Sequence, residues 1–323
     1  MRLGCCDEMT PLLQSRRDTN FFSFFWFRSE IMLLLCSAQL SRRVAHLRTI
    51  VCSSKAASSQ AVAPASMPGI EVFQFPARSD NYGYLVHDVA TGATACVDTP
   101  AEAATDAALQ LKGWKLTHIL NTHHHEDHTG GNLYLKKKHG CTVVGPAADA
   151  ARIPGIDVQA SDGDTLSLGA TPYVFIHTPG HTRGHGAFFF PTEHAAFVGD
   201  TLFSMGCGRL FEGTPEQMLR SVGALAALPD DTLLYCAHEY TASNARFALS
   251  VEPGNDALVE RAKEVDALRM AGKPTVPTTL KLEKATNPFL RTGSPEIRAK
   301  LGFDENAKDV DVFAETRRRK DKF

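Results

Sequence analysis

Asn121-Thr122-His123-His124-His125-Glu126-Asp127-His128-Thr129-Gly130-Gly131 is the stretch that decides how this chain is read. The apolar run Leu116 to Leu120 before it has strand character, and a helical pattern opens at Gly130-Gly131-Asn132 behind it. A strand therefore carries a set of histidines and an aspartate to its C-terminal end, just ahead of a helix. Side chains two apart in an extended segment share a side. The spacing thus predicts that His123, His125 and Asp127 converge while His128 leaves on another bearing. Ligands sent in two directions from one loop suit two neighbouring metal ions better than one. The H-E-x-x-H helix of metalloproteases, with its histidines four apart, is a different arrangement. The plain alternative is a histidine-rich surface loop, which requires no matching ligands elsewhere in the chain.

Matching residues occur at three further strand ends. Thr178-Pro179-Gly180-His181-Thr182 follows the strand Tyr173 to His177, Val198-Gly199-Asp200-Thr201 follows Ala195 to Val198, and Cys236-Ala237-His238-Glu239-Tyr240 follows Leu233 to Tyr235. Glycines beside His181 and Asp200 let the backbone turn sharply toward a crowded centre. A lone His or Asp at any of these places reads as structural, but four strand ends supplying both in one domain read as a metal centre. Imidazole and carboxylate together accept zinc, iron or manganese. A purely structural zinc cage, closed and cysteine-rich, does not fit seven His and Asp candidates.

Around these sites, Ile70 to Phe75, Tyr82 to Val86, Thr94 to Val97, Thr142 to Gly145, Thr165 to Leu168 and Gly186 to Phe190 read as further strands. Ala101 to Leu111 and Gly130 to His139 read as helices, and Thr214-Pro215-Glu216-Gln217 starts another with Thr as cap and Pro in the first turn. The expected class is α/β (α+β), with two mixed sheets covered by helices. After about Thr241 the strands are expected to stop, leaving a small helical domain over Ala257 to Met270, a short helix capped at Ser294, and Val310 to Lys320. The chain divides into a leader (1–67), a catalytic domain (68–240) and a helical domain (241–323).

In these 323 residues the net charge is −2, which opposes a broad nucleic-acid-binding surface. Cys96, Cys141, Cys207 and Cys236 form no C-x-x-C pair, so a reducing compartment is expected rather than a disulfide framework. The leader is of another kind: no Asp or Glu occurs from Ile31 to Ile70, and Leu40, Val44, Leu47 and Val51 recur at helical spacing among arginines. An amphipathic, Arg-rich, acid-poor leader reads as an organelle-targeting peptide. A mitochondrial matrix location is expected, with plastid and cytosol as alternatives. Phe21 to Phe27 and Ile31 to Cys36 are too short for a membrane span, so no stable insertion is expected.

His123-x-His125-x-Asp127-His128, then His181, Asp200 and His238, resembles the ligand pattern of the metallo-β-lactamase superfamily. Within it, Gly206-Cys207-Gly208-Arg209, His238-Glu239-Tyr240 and the ending Arg317-Arg318-Arg319-Lys320-Asp321 resemble glyoxalase II, the hydroxyacylglutathione hydrolases. The resemblance runs from about Gly69 to Phe323. It implies an αββα sandwich followed by a small helical domain, and a binuclear site holding two divalent ions, zinc foremost, with iron or manganese possible. His123, His125 and His181 would hold the first ion, Asp127, His128 and His238 the second, with Asp200 bridging. Asp98, His124 and Glu126 fall outside the ligand set.

The implied reaction is hydrolysis of S-(2-hydroxyacyl)glutathione, S-D-lactoylglutathione in particular, to a 2-hydroxy acid and glutathione in methylglyoxal detoxification. A metal-bridging hydroxide, with Asp127 and Asp200, carries the chemistry. Arg209, Tyr240, Arg317 and Lys320 would bind glutathione. Phe211 departs from the tyrosine usual in the family, and Arg209 from its lysine. The partner is therefore a small-molecule thioester, with no nucleic acid, and the chain is expected to act as a monomer. The rivals are a mononuclear iron glutathione-persulfide dioxygenase, a nuclease of the same fold, and a metal-binding protein without catalysis.

Overall fold

A computed structural model describes residues 69 to 323. The N-terminal leader assigned above lies outside the described residues. The first sheet opens with β1 (Ile70–Ala77), β2 (Asn81–Asp88) and β3 (Thr94–Val97). After α1 (Glu102–Lys112) come β4 (His118–Leu120), the single helical turn α2 (Glu126–Thr129), α3 (Asn132–His139), β5 (Thr142–Pro146) and β6 (Val158–Ala160). These six strands lie side by side in chain order, antiparallel from β1 to β3 and parallel from β3 to β6.

The second half begins with β7 (Thr165–Leu168), β8 (Thr171–His177), β9 (Gly186–Phe190) and β10 (Ala195–Gly199), followed by the hairpin β11 (Leu202–Phe203) and β12 (Gly206–Cys207). Then follow α4 (Pro215–Ala226), β13 (Leu233–Cys236), α5 (Thr241–Val251), α6 (Asp256–Met270), β14 (Thr278–Thr279), α7 (Leu280–Thr286), α8 (Pro295–Leu301) and α9 (Asp309–Lys322). The second sheet has the order β14-β13-β10-β9-β8-β7. Strand β14 corrects the expectation that strands stop after Thr241. At two residues it is too short to show any alternation, yet it pairs antiparallel with Leu233 and Leu234.

Alternation along the strands explains the layers. In β2 to β5, Tyr84, Val86, Val97, Leu120 and Val144 face the second sheet, where they meet Phe175, Phe188 and Phe197. Their neighbours Leu85, Cys96, Ile119 and Val143 face the other way, onto Ala108 and Leu109 of α1 and Leu135 of α3. Met218, Val222 and Leu225 of α4, with Phe247, Phe289 and Phe313 of the tail, complete the core on the side of the second sheet. The result is an αββα sandwich with helices appended. Tyr84 locks the sheets together: its ring stands edge-on to Phe197 at 5.6 Å and Tyr235 at 5.3 Å, and its hydroxyl donates to the Cys236 carbonyl at 2.6 Å. That bond fixes the end of β13 two residues before His238.

Local chemistry sets the element ends. Thr214 and Gln217 form the full capping box that starts α4. Gly272, in the left-handed region at φ 67°, follows the C-terminus of α6. Ser294 occupies the cap position of α8, but its hydroxyl donates to Glu252 at 2.5 Å instead of capping the helix.

Candidate metal centre

Four strand ends converge on one point. The β4 end supplies His123 and His125 and runs into α2, which carries Asp127 and His128. The β8–β9 connection supplies His181, β10 ends one residue before Asp200, and β13 ends two residues before His238. Here the structure corrects the sequence reading at one residue. The chain is extended only as far as His125 (φ −60°, ψ 148°), and the helical turn from Glu126 rotates Asp127 away from His123 and His125. Asp127 Oδ2 instead lies 3.4 Å from both His128 Nε2 and His238 Nε2.

The ligand atoms fall into two sets joined by one carboxylate. His125 Nδ1 lies 3.0 Å from His123 Nε2 and 3.1 Å from His181 Nε2. Asp200 Oδ2 faces this first set, 3.4 Å from His181 Nε2. Asp200 Oδ1 faces the second, 3.5 Å from both His128 Nε2 and His238 Nε2.

Whether these nitrogens are lone pairs or N–H donors follows from what the opposite ring atom does. His128 Nδ1 donates to Asp98 Oδ2 at 2.8 Å, His238 Nδ1 to Asp80 Oδ1 at 2.7 Å, and His181 Nδ1 to the Arg209 carbonyl at 2.9 Å. The Thr122 hydroxyl gives its proton to Asp98 Oδ2 at 2.8 Å, so His123 Nδ1, 3.0 Å from that hydroxyl, is the donor there. In a neutral imidazole one nitrogen then has to be a bare acceptor. Four Nε2 atoms therefore point inward, each a lone pair when its ring is neutral and each ring held by a partner on its far side, as metal-bound histidines are. His128 Nε2 and Asp200 Oδ1 are buried and have no hydrogen-bond partner, a costly state unless a cation takes them.

The electrostatics agree. Burial, with His128 and the other rings beside it, holds His123 well below the usual histidine range, and burial with His181 takes His125 down to about 4. Both are neutral donors at physiological pH. Burial pushes the Asp127 carboxyl up, but His128 and His238 outweigh it and hold the group well below the usual carboxylate range. Burial opposes charge on His128 and His238, yet Asp200 and the other carboxylates raise both. This side of the site draws positive charge. The residues fit a divalent-metal site.

The outer partners were only partly legible. Asp98, just after β3 and outside the ligand set, holds His128 and Thr122 by hydrogen bonds. His124 turns away to Asp149 Oδ2 at 2.9 Å, and Glu126 pairs with Arg78 at 2.6 Å. In the sequence, Ser79-Asp80-Asn81 has the composition of a turn and carries no metal-centre signal. Yet that turn is tied to β13 by Tyr82 N to Ala237 O and Glu239 N to Asp80 O, which places Asp80 on His238 and Asn81 Nδ2 3.1 Å from Asp127 Oδ2. His185 was also missed. It lies fully buried under His123, and its Nε2 accepts the Asp200 backbone N–H at 3.0 Å. The second Gly-His pair, Gly184-His185, four residues after Gly180-His181, was the available signal.

Two family descriptions match this chain in tandem: the metallo-beta-lactamase superfamily over residues 84–238 and the hydroxyacylglutathione hydrolase C-terminus over 239–323. A hydroxyacylglutathione hydrolase of Methylococcus capsulatus is 56% identical over 254 residues, covering 79% of this chain and 99% of its own. The chain belongs to the hydroxyacylglutathione hydrolase family. A second relative of that description, from Maricaulis maris, is 54% identical and covers 80% of this chain and 100% of its own. Among solved structures, ETHE1 from Myxococcus xanthus is similar at 25% identity and a TM-score of 0.53, covering 79% of this chain and 99% of that one.

These relatives overturn the mitochondrial reading of the leader, with its plastid alternative. They are bacterial proteins, and bacteria have no such organelle for a peptide to address. Arginine-rich amphipathic spacing alone does not carry that assignment. Among the described residues no helix is long and apolar enough to cross a membrane.

Beside this His and Asp cluster the chain opens a cleft of about 520 Å³, lined by Arg209, Phe211, Tyr240, Lys320 and Phe323 among others. The Tyr240 ring stacks on His238 at 4.7 Å, nearly parallel. Lys320 Nζ donates to the Ser243 carbonyl at 3.2 Å and hydroxyl at 3.0 Å, between the Phe247 and Phe323 rings. Arg209 is largely exposed, 4.0 Å from Asp321. Arg317 differs from the other cations. It is buried, with Nη1 on the Cys207 carbonyl at 2.7 Å and its Nε and Nη2 filled by Asp321 at 2.9 and 2.7 Å. A substrate carboxylate reaches that fork only if Asp321 gives way. Phe211 lies over His181 and His125, at 5.1 and 5.8 Å, with no hydroxyl to offer.

Proposed function

We propose that the chain is a thioester hydrolase that cleaves S-(2-hydroxyacyl)glutathione, with S-D-lactoylglutathione as substrate and D-lactate and glutathione as products. The observation that carries the reading is Asp200, whose two oxygens face two separate nitrogen sets. That geometry supports two divalent ions, zinc foremost with iron or manganese admissible, held by His123, His125 and His181 on one side and Asp127, His128 and His238 on the other. Such ions supply Lewis acidity, polarising the thioester carbonyl and making hydroxide available near neutral pH.

The chain's own residues do the rest. Asp127 keeps Oδ2 toward His128 and His238, with Asn81 donating to it, which holds an ionised carboxylate on the second nitrogen set. The Phe211 and Phe203 rings flank the reacting end of the cleft and limit its water. Lys320, Arg209 and the Tyr240 hydroxyl face the glutathione moiety, whose two carboxylates call for fixed cations. Burial raises the Tyr240 phenol, which stays a donor. The leaving group is a thiolate whose parent thiol has a pKa of about 8.5, so no dedicated acid is required. Metal analysis of the purified full chain, alongside hydrolysis of S-D-lactoylglutathione, tests this. Two divalent ions per chain with turnover is the expected result; one iron per chain with oxygen uptake and no thioester cleavage would sink it.

A further inference from the structure

The segment between Asp200 and Arg209 is a tight hairpin, and both of its ends serve the metal centre. Asp200 enters it, and the Arg209 carbonyl that leaves it takes the Nδ1 proton of His181 at 2.9 Å. Its arms pair at Leu202–Cys207 and Phe203–Gly206, and the Gly208 N–H donates to the Thr201 carbonyl at 3.3 Å. Gly208 packs so closely on Asp200 that a Cβ there would lie 2.0 Å from the Asp200 carbonyl oxygen. At the tip, Met205 sits at φ 54°, a left-handed conformation that a non-glycine residue keeps only when its surroundings hold it there.

What holds it comes from the helical tail, some 80 residues further along the chain. Glu283 of α7 accepts the Met205 N–H at 2.7 Å through Oε2 and the Ser204 hydroxyl at 3.0 Å through Oε1. Asn287 Nδ2 donates to the Phe203 and Gly206 carbonyls, each at 3.0 Å. Asn244 of α5 donates to the Ser204 carbonyl at 3.0 Å. Glu283 and Asn287 are fully buried. Glu283 also accepts from Thr278 at 2.9 Å, so every group aimed at its two oxygens is a donor. A loop tip whose polar groups are met by buried side chains of another element has little freedom left.

We infer that Glu283 and Asn287 are positioning residues for the metal centre. Through the hairpin tip they set the Asp200 carboxylate between the two nitrogen sets, and through the Arg209 carbonyl they hold His181 in the tautomer that presents Nε2. The helical tail thus builds the hydrolytic end of the site as well as the glutathione end. The inference rests on the reading of the His/Asp cluster as a metal centre and not on the identity of the thioester.

The test is metal affinity, measured on the full chain by competition with a chromophoric chelator, in Glu283→Gln and Asn287→Ala. Glu283→Gln turns one acceptor oxygen into an NH2 group facing donors. Both variants are expected to bind Zn²⁺ ~10–100-fold more weakly, as loss of outer partners of a metal ligand does, and kcat is expected to fall more than KM rises. Ile297→Ala, a cavity in α8 that leaves every hairpin hydrogen bond in place, is the structural comparison: a lower Tm with native metal affinity. Metal affinity within about twofold of native in Asn287→Ala and in Ser204→Ala, which deletes one hydrogen bond to Glu283, overturns the assignment whether or not Glu283→Gln folds. A protein that binds metal tightly but cleaves no thioester would defeat the proposed function and leave this inference standing.

Discussion

Lys320 is a cation in the cleft whose charge its surroundings weaken. Burial, with Arg317, Arg246 and Arg209 nearby, brings its pKa down to about 8. A carboxylate of the substrate is attracted only by the protonated form. Affinity is therefore complete below that value and is lost as pH rises through it. The profile of kcat/KM, which reports the free enzyme, is expected to fall with an apparent pKa of about 8. Lys320→Arg, charged throughout the measurable range, is expected to remove that limb; a limb that persists unchanged in the variant would show that Lys320 does not hold the substrate. At this scale the sequence was informative wherever the residue type was chemically distinctive. His123, His125, His181, Asp200 and His238 could be named from type and strand-end position. Asp80 could not, because its partner His238 is 158 residues away and an aspartate in a turn looks the same with or without such a partner. Arg317 shows the converse: a basic motif identifies the residue but not that Asp321 already fills its fork.

The elements that matter most here are the short ones, and these were the hardest to read. The turn α2 is four residues long, barely one helical period, so strand alternation carried through it sends Asp127 toward His123 and His125, and only the family resemblance puts it with His128 and His238. Longer elements, such as α6 and the buried strands β2 and β10, declared themselves by pattern and caps. Between them, β10 ends in a feature whose cost can be measured. Gly199 has φ 49°, and a Cβ on it would lie 2.6 Å from Thr122 Oγ1 and 2.7 Å from His185 Nε2. Both neighbours are spent, Thr122 on Asp98 and His185 on the Asp200 N–H. Gly199→Ala is expected to cost at least ~1–2 kcal/mol from the left-handed backbone alone, and to weaken metal binding because the displaced residues orient His123 and Asp200. Denaturant unfolding and metal content check it together; native stability with full metal content would show that β10 tolerates the side chain.

Across the whole molecule, the ligands are divided between the two halves of the sandwich. His123, His125, Asp127 and His128 follow strands of the first sheet, and His181, Asp200 and His238 those of the second. Between the sheets the packing is largely aromatic, as at Tyr84, Phe197 and Tyr235, with the Tyr84 hydroxyl bonded to the Cys236 carbonyl, and at the rim the candidate ligands of both sheets come close together. His125 Nδ1 stands 3.0 Å from His123 Nε2, and Asp127 stands near Asp200 across His128 and His238. A divalent cation held by residues of both sheets would fasten the rim of one sheet to the other. Metal that binds only the folded chain stabilises it by RT ln(1 + [L]/Kd), ~2.7 kcal/mol at a hundredfold excess over Kd. For a domain of this size that corresponds to a Tm increase of roughly 5–10 °C. Stripping metal with a chelator is expected to lower Tm by that much and to restore it on adding back Zn²⁺. Asp200→Ala, which removes the carboxylate facing both nitrogen sets, is expected to show most of the decrease already and little further response to the chelator. A Tm indifferent to chelation in the native chain would mean that the two sheets hold the ligand array together without help, and that the seven residues are a prearranged site on a scaffold which the metal does not stabilise.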